Sequence, residues 1–458
     1  MDLQFLFSHA IAKGTKFFIK NISKGGATAA PGFFSLYLDH NILKKLASNL
    51  ETTILVTGTN GKTTTTRLIG DFLENLGVEF VHNRHGSNLE RGLISAFLEN
   101  TNLSGQSLVK TALFEVDEAA IANVLPKLNP QVLVITNLFR DQLDRYGEVN
   151  NIRRIWEKCL KNLPEQTTLI LNADDPSLAS LGKNASCRVI YFGLSDKNVS
   201  LEKVPDTVDN INCPSCRSEL KYTRYYISHQ GEYSCPVCHF TRAKLDIWAE
   251  EIESGSSGSE FVLHYSDKIR VDIKTRLAGL FNVYNILASF GALSALDFNL
   301  DTFPLVVKNF KPAFGRAENL EFEGRKVIVT LAKNPTGFNE VIRTFFSRGQ
   351  QIVLIAINDL IADGRDVSWL WDVDFESVRD FGTKFFISGL RASDMALRLK
   401  YAGIKNYQVN ESLSEALEAA LEALPQKDTL LIVPTYTAML ELKKVFAKKG
   451  AGGQFWED

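Results

Sequence analysis

The sequence predicts an α/β protein made of two sheet-containing blocks, with a cysteine-bearing insert in the first. Three observations carry this reading. Short apolar runs alternate with helix-length patterns from residue 51 to about 200, and again after Arg325. A glycine-rich loop joins the first apolar run to the first helical pattern. Four cysteines fall into two tight pairs where the alternation lapses, between residues 201 and about 245. Strands separated by helix-length segments argue for a parallel sheet with crossover helices.

The bulk numbers bound the rest. A chain of 458 residues suits two to four domains. A net charge of -2 gives no global argument for nucleic acid or an anionic surface. No apolar run approaches the roughly 18 residues that span a bilayer. Residues Leu3 to Ile22 mix Phe5, Phe7, Phe17, Phe18 and Ile19 with Lys13, Lys16 and Lys20. No charged segment precedes the apolar residues, so a secretory signal is not expected. A helix on a membrane surface fits this pattern; a helix packed on its own domain is the expectation, and residues 1–50 read as a helical N-terminal segment.

Thr57-Gly58-Thr59-Asn60-Gly61-Lys62-Thr63-Thr64 follows the strand-like run Ile54-Leu55-Val56. It precedes a helical pattern of Leu68, Ile69, Phe72, Leu73 and Leu76. In such a turn the backbone N–H groups and the helix N-terminus point at an anion. Lys62 adds a charge for the outer phosphates, and the Thr63 hydroxyl can hold Mg²⁺. A nucleoside triphosphate is therefore expected, with ATP the first choice. The loop is short: a full G-x-x-x-x-G-K-[ST] pattern would need glycine at position 56, where valine stands.

Thr111 to Val116 reads as the next strand, with Glu115 at its end. A carboxylate beside a phosphate loop suits a second Mg²⁺ ligand; a solvated strand end fits equally. Gln131 to Thr136 is another strand, followed by Asn137, Asp141 and Asp144. These three face nucleotide and metal, or else serve as helix caps and first-turn acids. Leu169 to Leu171 and Val189 to Phe192 complete the run. Ligands in such sheets gather at the carboxyl ends of strands, where Glu115, Asn137 and the glycine loop all fall.

Cys213-Pro-Ser-Cys216 and Cys235-Pro-Val-Cys238 have the spacing C-x₂-C-x₁₈-C-x₂-C, inside the zinc-ribbon range. Four thiolates close a tetrahedral shell around Zn²⁺, so the site is expected to be structural. Arg217, Lys221, Arg224 and Arg242 are scattered and offset by Glu219 and Glu232. The insert therefore reads as a clamp on its own domain or on a partner, not as a nucleic-acid surface. Cys159 and Cys187 read as core or incidental thiols. A phosphate loop with thiolate pairs implies a reducing, cytoplasmic setting. Glu253 to Ser259 reads as a flexible turn or loop, and alternation returns with Phe261 to Leu263 and Ile269 to Ile273. The boundary to the second block is expected around Lys311 to Gly315. Its strands are Lys326 to Val329, Ile352 to Ile357, Lys384 to Ile387 and Thr429 to Val433.

Thr57 to Thr64, Glu115, Asn137 to Asp144 and Leu171-Asn172-Ala173-Asp174-Asp175-Pro176 together resemble the Mur ligases and folylpolyglutamate synthases. Leu277 to Ala288 matches that superfamily's adenine-side motif, and Phe314 to Glu318 its arginine motif. The resemblance covers nearly everything from residue 51 onward, with six motifs in order. It implies a Mur-ligase-like central P-loop ATPase domain over 51–315, carrying a four-cysteine zinc ribbon at about 205–245. A Rossmann-like C-terminal α/β domain follows over 316–458. The ribbon, Asp141-Gln142-Leu143-Asp144, and Asn358 to Trp369 narrow the resemblance to the ligase-like subunits of lipid II amidating enzymes. Two departures from ordinary Mur ligases agree. Gln142 replaces the histidine of Asp-His-x-Asp, and the fifty residues before the loop are too few for a nucleotide-sugar-binding domain.

That resemblance implies ATP-dependent amidation of D-glutamate in the lipid II stem peptide, in peptidoglycan synthesis. Ammonia would come from a class I glutamine amidotransferase partner, because no convincing glutaminase nucleophile is present in this chain. It implies Gly58, Thr59, Asn60, Gly61, Lys62, Thr63 and Thr64 on the nucleotide, with Thr63 and Glu115 on Mg²⁺. Asn282 is assigned to adenine and Arg316 to phosphate or ribose. Cys213, Cys216, Cys235 and Cys238 are assigned to Zn²⁺. The subunit would also lend an aspartate to the partner's histidine. Asp366 is the choice, ahead of Asp363 and Asp359. Lys333-Asn334-Pro335 is either a substrate contact or a strand-to-helix turn. The competing readings are a stand-alone amino-acid ligase, which the ribbon and the aspartate-rich loop oppose, and a nucleotide-binding zinc-ribbon scaffold, which near-neutral charge opposes.

Overall fold

The structure, a computed structural model, describes residues 2–22, 30–84, 88–140, 149–201, 212–266, 268–346 and 351–449. The predicted Asp141 to Asp144 segment and the start of the cysteine insert lie outside these residues.

The first block is a nine-stranded sheet. Its strands are β1 (Thr52–Thr57), β2 (Phe80–His82), β3 (Thr111–Glu115), β4 (Val132–Ile135), β5 (Thr168–Asn172) and β6 (Arg188–Leu194). A separate hairpin of β7 (Lys221–Ile227) and β8 (Gln230–Ser234) intervenes. β9 (Ile247–Gly255), β10 (Gly258–Tyr265) and β11 (Ile269–Thr275) then finish the sheet. The spatial order is β11-β10-β9-β6-β5-β4-β1-β3-β2. Pairing is parallel from β2 through to β9 and antiparallel from β9 to β11.

The central strands are apolar throughout because both faces are covered. Side chains alternate along a strand, so Ile54 and Val56 join one core while Leu55 joins the other. The first core is closed by the helices Lys62–Asn75 and Leu280–Ser294. The second is closed by Ile42–Leu46, Glu90–Phe97, Ile121–Leu128 and Val149–Leu160. β1 lies between β3 and β4, where the direction of strand addition reverses. Such a switch point opens a crevice at the carboxyl ends of the strands. Thr57, Glu115 and Ile135 mark those ends here.

The second block holds β12 (Arg316–Phe322), β13 (Arg325–Thr330), β14 (Ile352–Ala356), β15 (Lys384–Ser388), β16 (Tyr407–Val409) and β17 (Thr429–Pro434). Their order is β12-β13-β17-β14-β15-β16. Only β12 runs antiparallel to its neighbour. Pro335–Phe345 and Ala392–Tyr401 cover one face, and Leu413–Ala423 and Tyr436–Lys448 the other.

The N-terminal helices Leu3–Ile22 and Ala30–Leu38 pack on the first block, as the packed-helix expectation required. Gly32 N–H donates to Ser95 Oγ (3.0 Å), and a Cβ at Gly32 would lie 1.8 Å from the Arg91 carbonyl oxygen.

Two expectations change. The serine-rich segment at 253–259 is mostly strand: β9 runs to Gly255 and β10 starts at Gly258. The Ser254 and Ser259 hydroxyls meet at 2.8 Å across this hairpin, and Ser259 Oγ also donates to the Leu277 carbonyl (3.0 Å). Leu76, counted in the helical stripe, lies just past the helix as an exposed cap residue.

Candidate active site

The glycine loop leaves β1 at Thr57 and enters the helix at Lys62. Gly58 and Gly61 take φ values of +129° and +84°, which favour glycine. A Cβ at Gly58 would meet Thr136 Oγ1 at 2.2 Å, and one at Gly61 would meet Asn285 Oδ1 at 2.0 Å. Both glycines thus let neighbouring segments close on the loop.

The segment after β4 fixes that closure. Asn60 N–H donates to Asn137 Oδ1 (2.8 Å) and Asn137 Nδ2 donates back to the Asn60 carbonyl (3.0 Å). Thr136 Oγ1 donates to the same carbonyl (2.7 Å). Thr59 Oγ1 accepts from Phe139 N–H (3.0 Å). Asn137 therefore shapes the loop through its amide, whichever way its neighbours are occupied.

Lys62 is buried. Its ammonium donates to the Gly58 and Thr59 carbonyls and meets Glu118 Oε2 at 3.0 Å. Burial pulls its pKa down, but the Glu118 and Glu115 carboxylates outweigh this, so the net shift is upward. The amine stays charged. Thr63 Oγ1 donates to Glu115 Oε2 (2.8 Å), so the two oxygens assigned to Mg²⁺ converge. Asn83 holds the Glu115 backbone from both sides, at 2.8 and 3.0 Å.

The second block reaches into this group. Arg316, the first residue of β12, places Nη2 at 3.4 Å from Thr63 Oγ1. Burial lowers the pKa of its guanidinium, and Glu115 opposes that. Asn334 caps the helix Pro335–Phe345 through Gly337 N–H (2.8 Å) and donates to Asn60 Oδ1 (3.2 Å). Lys333-Asn334-Pro335 is thus a strand-to-helix turn that also touches the loop. Arg140 bridges to Asp372 at 2.7 Å.

Between the blocks lies a cleft walled by Asn60, Gly61, Phe281, Asn282, Arg316 and Glu340 among others. Asn282 lines it, but both ends of its amide are engaged: Nδ2 donates to the Ala278 carbonyl (2.7 Å) and Oδ1 accepts from Asn285 (3.0 Å). Glu340, absent from the sequence reading, is 7% exposed, and its carboxyl is pushed up to about 7 by burial, against the pull of Arg343. Its helix-interior position gave no motif signal.

The cysteine hairpin also reaches this cleft, through Ile227 and Gln230. The Sγ atoms of Cys213, Cys216, Cys235 and Cys238 all lie within 4.8 Å of one another. Tetrahedral Zn–S bonds of about 2.3 Å require sulfur separations of about 3.8 Å, so the donor set fits Zn²⁺. The two turns repeat one geometry: Cys213 N–H donates to Ser218 and Cys235 N–H to Phe240, both at 2.7 Å. The hairpin clamps its own block. Arg242 meets Asp174 Oδ1 at 2.6 Å and Glu232 at 3.2 Å, and Tyr284 OH donates to Asp174 Oδ2 (2.7 Å). Asp175 caps the helix Pro176–Lys183 and accepts from Leu138 N–H (3.1 Å). The motif Asn172 to Asp175 was read from sequence as a family mark; the structure gives it this anchoring role.

The acidic loop after β14 separates its three candidates. Asp363 is buried and accepts from Thr437 N–H, Thr437 Oγ1 and Leu360 N–H. Asp359 faces Arg391 at 3.6 Å. Asp366 is partly exposed and accepts from Ser368 N–H (2.8 Å); the Ser368 bonds, chiefly, lower its pKa and keep it ionised. Cys159 and Cys187 pack in the second core of the first sheet, and burial raises both thiols.

Comparison with known proteins agrees with this geometry. A family model for the Mur ligase middle domain matches residues 56–234 and 216–293, and one for the MurT ligase C-terminal region matches 331–439. The MurT subunit of the glutamine-hydrolyzing lipid II isoglutaminyl synthase of Staphylococcus aureus (strain COL) is 33% identical, over 93% of this chain and 94% of that one. The MurT subunit from Streptococcus pneumoniae (strain ATCC BAA-255 / R6) is 29% identical, over 98% of each. Among solved structures, a pseudomurein peptide ligase type C from Methanothermus fervidus superposes with a TM-score of 0.68 at 23% identity, covering 89% of this chain and 81% of that chain. MurF ligase from Thermotoga maritima in complex with ADP gives 0.66 at 16% identity, with 91% and 84% covered. These two likenesses speak for the fold, which is the Mur-ligase α/β fold with mixed sheets. Full-length similarity and both family models make the conclusion plain: this chain belongs to the MurT family of Mur-type ligases.

Proposed function

We propose that this chain is the ATP-dependent ligase subunit that amidates the α-carboxylate of D-glutamate in the lipid II stem peptide, giving D-isoglutamine for peptidoglycan. The observation that carries this reading is the meeting of Thr63 with Glu115 and Arg316, next to the buried Lys62, in a loop whose Asn60, Gly61 and Thr64 wall the interblock cleft with Arg316, in a chain related over its length to MurT subunits. The domain roles follow as 1–50 helical segment, 51–315 ATP-binding domain, and 316–458 Rossmann-like domain for the partner.

A carboxylate is a poor acceptor for ammonia because its oxygen is a poor leaving group. A carboxylate oxygen of D-glutamate attacks the γ-phosphorus and ADP leaves, forming an acyl phosphate. Ammonia attacks its carbonyl carbon, phosphate departs, and the amide nitrogen loses a proton. The chain's part is positioning and charge neutralisation. Gly58, Thr59, Asn60, Gly61 and Thr64 present the loop to the phosphates, and Lys62 supplies a fixed positive charge. Arg316 brings the second from the C-terminal block. Thr63 and Glu115 would hold Mg²⁺, which neutralises phosphate charge when bound. Asn282 and its bonded partner Asn285 form the adenine side of the cleft. The four cysteines would hold Zn²⁺ as a structural cross-link of the ribbon.

Ammonia comes from a class I glutamine amidotransferase subunit. Asp366 is the aspartate lent to that partner's histidine, because Asp363 is consumed by Thr437 at the start of the helix Tyr436–Lys448. Exposed Leu360, Ile361 and Trp371 beside it offer an apolar docking surface. The setting is the cytoplasmic face of the membrane, where the lipid-carried acceptor lies. No helix among the described residues is long and apolar enough to cross a membrane.

The test is co-purification with the neighbouring glutaminase and an amidation assay on lipid II. Wild type is expected to use glutamine or ammonia. Lys62→Ala should lose both, and Asp366→Asn should lose glutamine use while keeping ammonia use. Full glutamine activity in Asp366→Asn would remove the triad assignment. Product formed with an amino acid instead of ammonia would favour a stand-alone ligase.

A further inference from the structure

Among the described residues, two side chains that line the interblock cleft keep a buried polar atom without a hydrogen-bond partner: Gln230 Nε2 and Glu340 Oε2. Gln230 is 2% exposed and Glu340 7%. Buried polar groups are nearly always paired, so two orphans on one cleft point to a ligand that pairs them. They come from different parts of the chain. Gln230 opens β8 at the tip of the cysteine hairpin, and Glu340 lies mid-helix in Pro335–Phe345 of the second block. Arg343 ties the two together: its Nη1 donates to the Tyr226 carbonyl of the hairpin (2.6 Å) and lies 3.8 Å from Glu340 Oε1.

Placement decides which part of a ligand they meet. The helix carrying Glu340 abuts the start of the helix Leu280–Ser294, since a Cβ at Gly279 would lie 2.9 Å from Thr344 Oγ1. That start carries Asn282, assigned to the adenine side, whose amide is consumed at both ends. The base is therefore left for other side chains to read. Ile227, Phe281, Leu331 and Val341 give the same cleft apolar walls, which suit the faces of a flat ring. Adenine carries an amino donor beside ring-nitrogen acceptors. A carboxyl oxygen accepts from the first, and a glutamine N–H donates to the second. A phosphate would be repelled by a carboxylate and belongs at the glycine loop.

We infer that Glu340 and Gln230 read the amino edge of adenine across the seam between the cysteine hairpin and the second block, Glu340 accepting from the exocyclic amine and Gln230 donating to a ring nitrogen beside it. This deepens, and rests on, the reading of the cleft as an ATP site. It gives the cysteine hairpin a second task besides clamping its own block, because the hairpin supplies one of the two side chains that select the nucleotide. A carboxyl buried there costs the free protein stability, as a group kept for a ligand does.

Binding of ATP and its analogues to the full chain, in complex with its glutaminase subunit, is measured by isothermal titration calorimetry. Wild type is expected to bind purine riboside triphosphate, which lacks the amine, about tenfold or more weakly than ATP. Glu340→Met should bind the two alike, while Glu340→Gln, which keeps an acceptor oxygen, should still prefer ATP. Wild type should lose about tenfold on 1-deaza-ATP or on 7-deaza-ATP, and Gln230→Met should lose it on neither. A merely structural role would weaken every nucleotide by one factor and leave these ratios unchanged. Equal binding of ATP and purine riboside triphosphate by wild type, or a Glu340→Met variant that keeps the wild-type ratio, overturns the inference. So does a wild type indifferent to both deaza analogues, or a Gln230→Met variant that responds to them as wild type does. A 2′-deoxy-ATP penalty that Glu340→Met abolishes would place the sugar there and overturn it too. Wild type that binds no nucleotide would sink the ATP reading of the cleft itself, whereas ATP binding with unchanged ratios sinks the inference alone.

Discussion

Replacing Arg242 with leucine should destabilise the first block by about 3–5 kcal/mol near neutral pH, the usual cost of removing one partner of a buried ion pair. Asp174 is fully buried, and the substitution leaves its carboxylate with only the Tyr284 hydroxyl and the Leu194 N–H. Burial already raises the Asp174 pKa, and Arg242 is the chief group opposing that rise. Without the arginine the carboxyl can escape by protonation, which sets a ceiling on the loss. At about 1.4 kcal/mol per pH unit, protonating a group of ordinary pKa 3.8 costs about 5 kcal/mol at pH 7.5 and about 3 kcal/mol at pH 6. The sign follows from proton binding. With the folded pKa above the unfolded one, the folded state holds more protons between the two values. Stability therefore falls as pH rises through that window. Arg242→Leu should thus recover as pH falls, by up to about 2 kcal/mol between pH 7.5 and 6 relative to wild type. Adding Asp174→Asn should restore most of the loss, with a coupling of at least about 2 kcal/mol. Urea unfolding of the four proteins at both pH values measures this. Additive losses, or a penalty that does not shrink at low pH, would refute the claim that the cysteine-bearing insert is tied to the block through a buried charge pair.

Three further outcomes follow from other positions. Gly61→Ala should lower kcat/KM for ATP about a hundredfold, because φ is +84° and its Cβ would collide with Asn285 Oδ1. Gly77→Ala, at φ +71° with nothing within 4 Å, is the control expected to retain activity. Glu340→Gln should raise stability by up to about 3 kcal/mol at pH 8 and little at pH 4.5, read by thermal melting. Burial puts this carboxyl at about 7 against an ordinary 4.5, so wild type loses stability as pH climbs between those values. Asp363→Ala should cost about 1–2 kcal/mol by orphaning the Thr437 and Leu360 N–H groups. Asp366→Ala should leave melting unchanged.

The strands legible in the sequence were the buried ones. β1, β4, β5, β14 and β17 are continuous apolar runs because helices cover both sheet faces. The missed strands β2, β12 and β16 lie at sheet edges, where one side lacks a neighbour and the pattern weakens. β9 was missed for another reason. Ala249 and Ile252 face the core, but Glu250, Glu251 and Glu253 interrupt the run, and a register shift in the β9–β10 pairing breaks the alternation. Nothing in Ser254 to Ser259 announced strand, since the serines are held there by a cross-strand hydroxyl contact.

The site divides along a similar physical line. Lys62 and Thr63 stood out because loop geometry demands particular residue types at fixed spacing, whereas Glu115, 52 residues from Thr63, read equally well as a solvated strand end. Glu118 did not stand out, since its work is to hold the Lys62 ammonium from fifty-six residues away. Asn137, open between a nucleotide or metal contact and a helix cap, and Asp175, read only within a family motif, are both bonded into the backbone of the loops that make the cleft. Polar residues at strand ends have two uses, binding a ligand and building the turn that binds it. Sequence spacing does not distinguish them, but the count of internal hydrogen bonds does. By that criterion Asp363 and Asn282 are builders, with every end of the side chain engaged inside the chain. Asp366 turns one oxygen to Ser368 and stands partly exposed, as its proposed role requires. An aspartate needed by another chain must be ionised, accessible and held by its own loop, and Asp366 meets all three conditions.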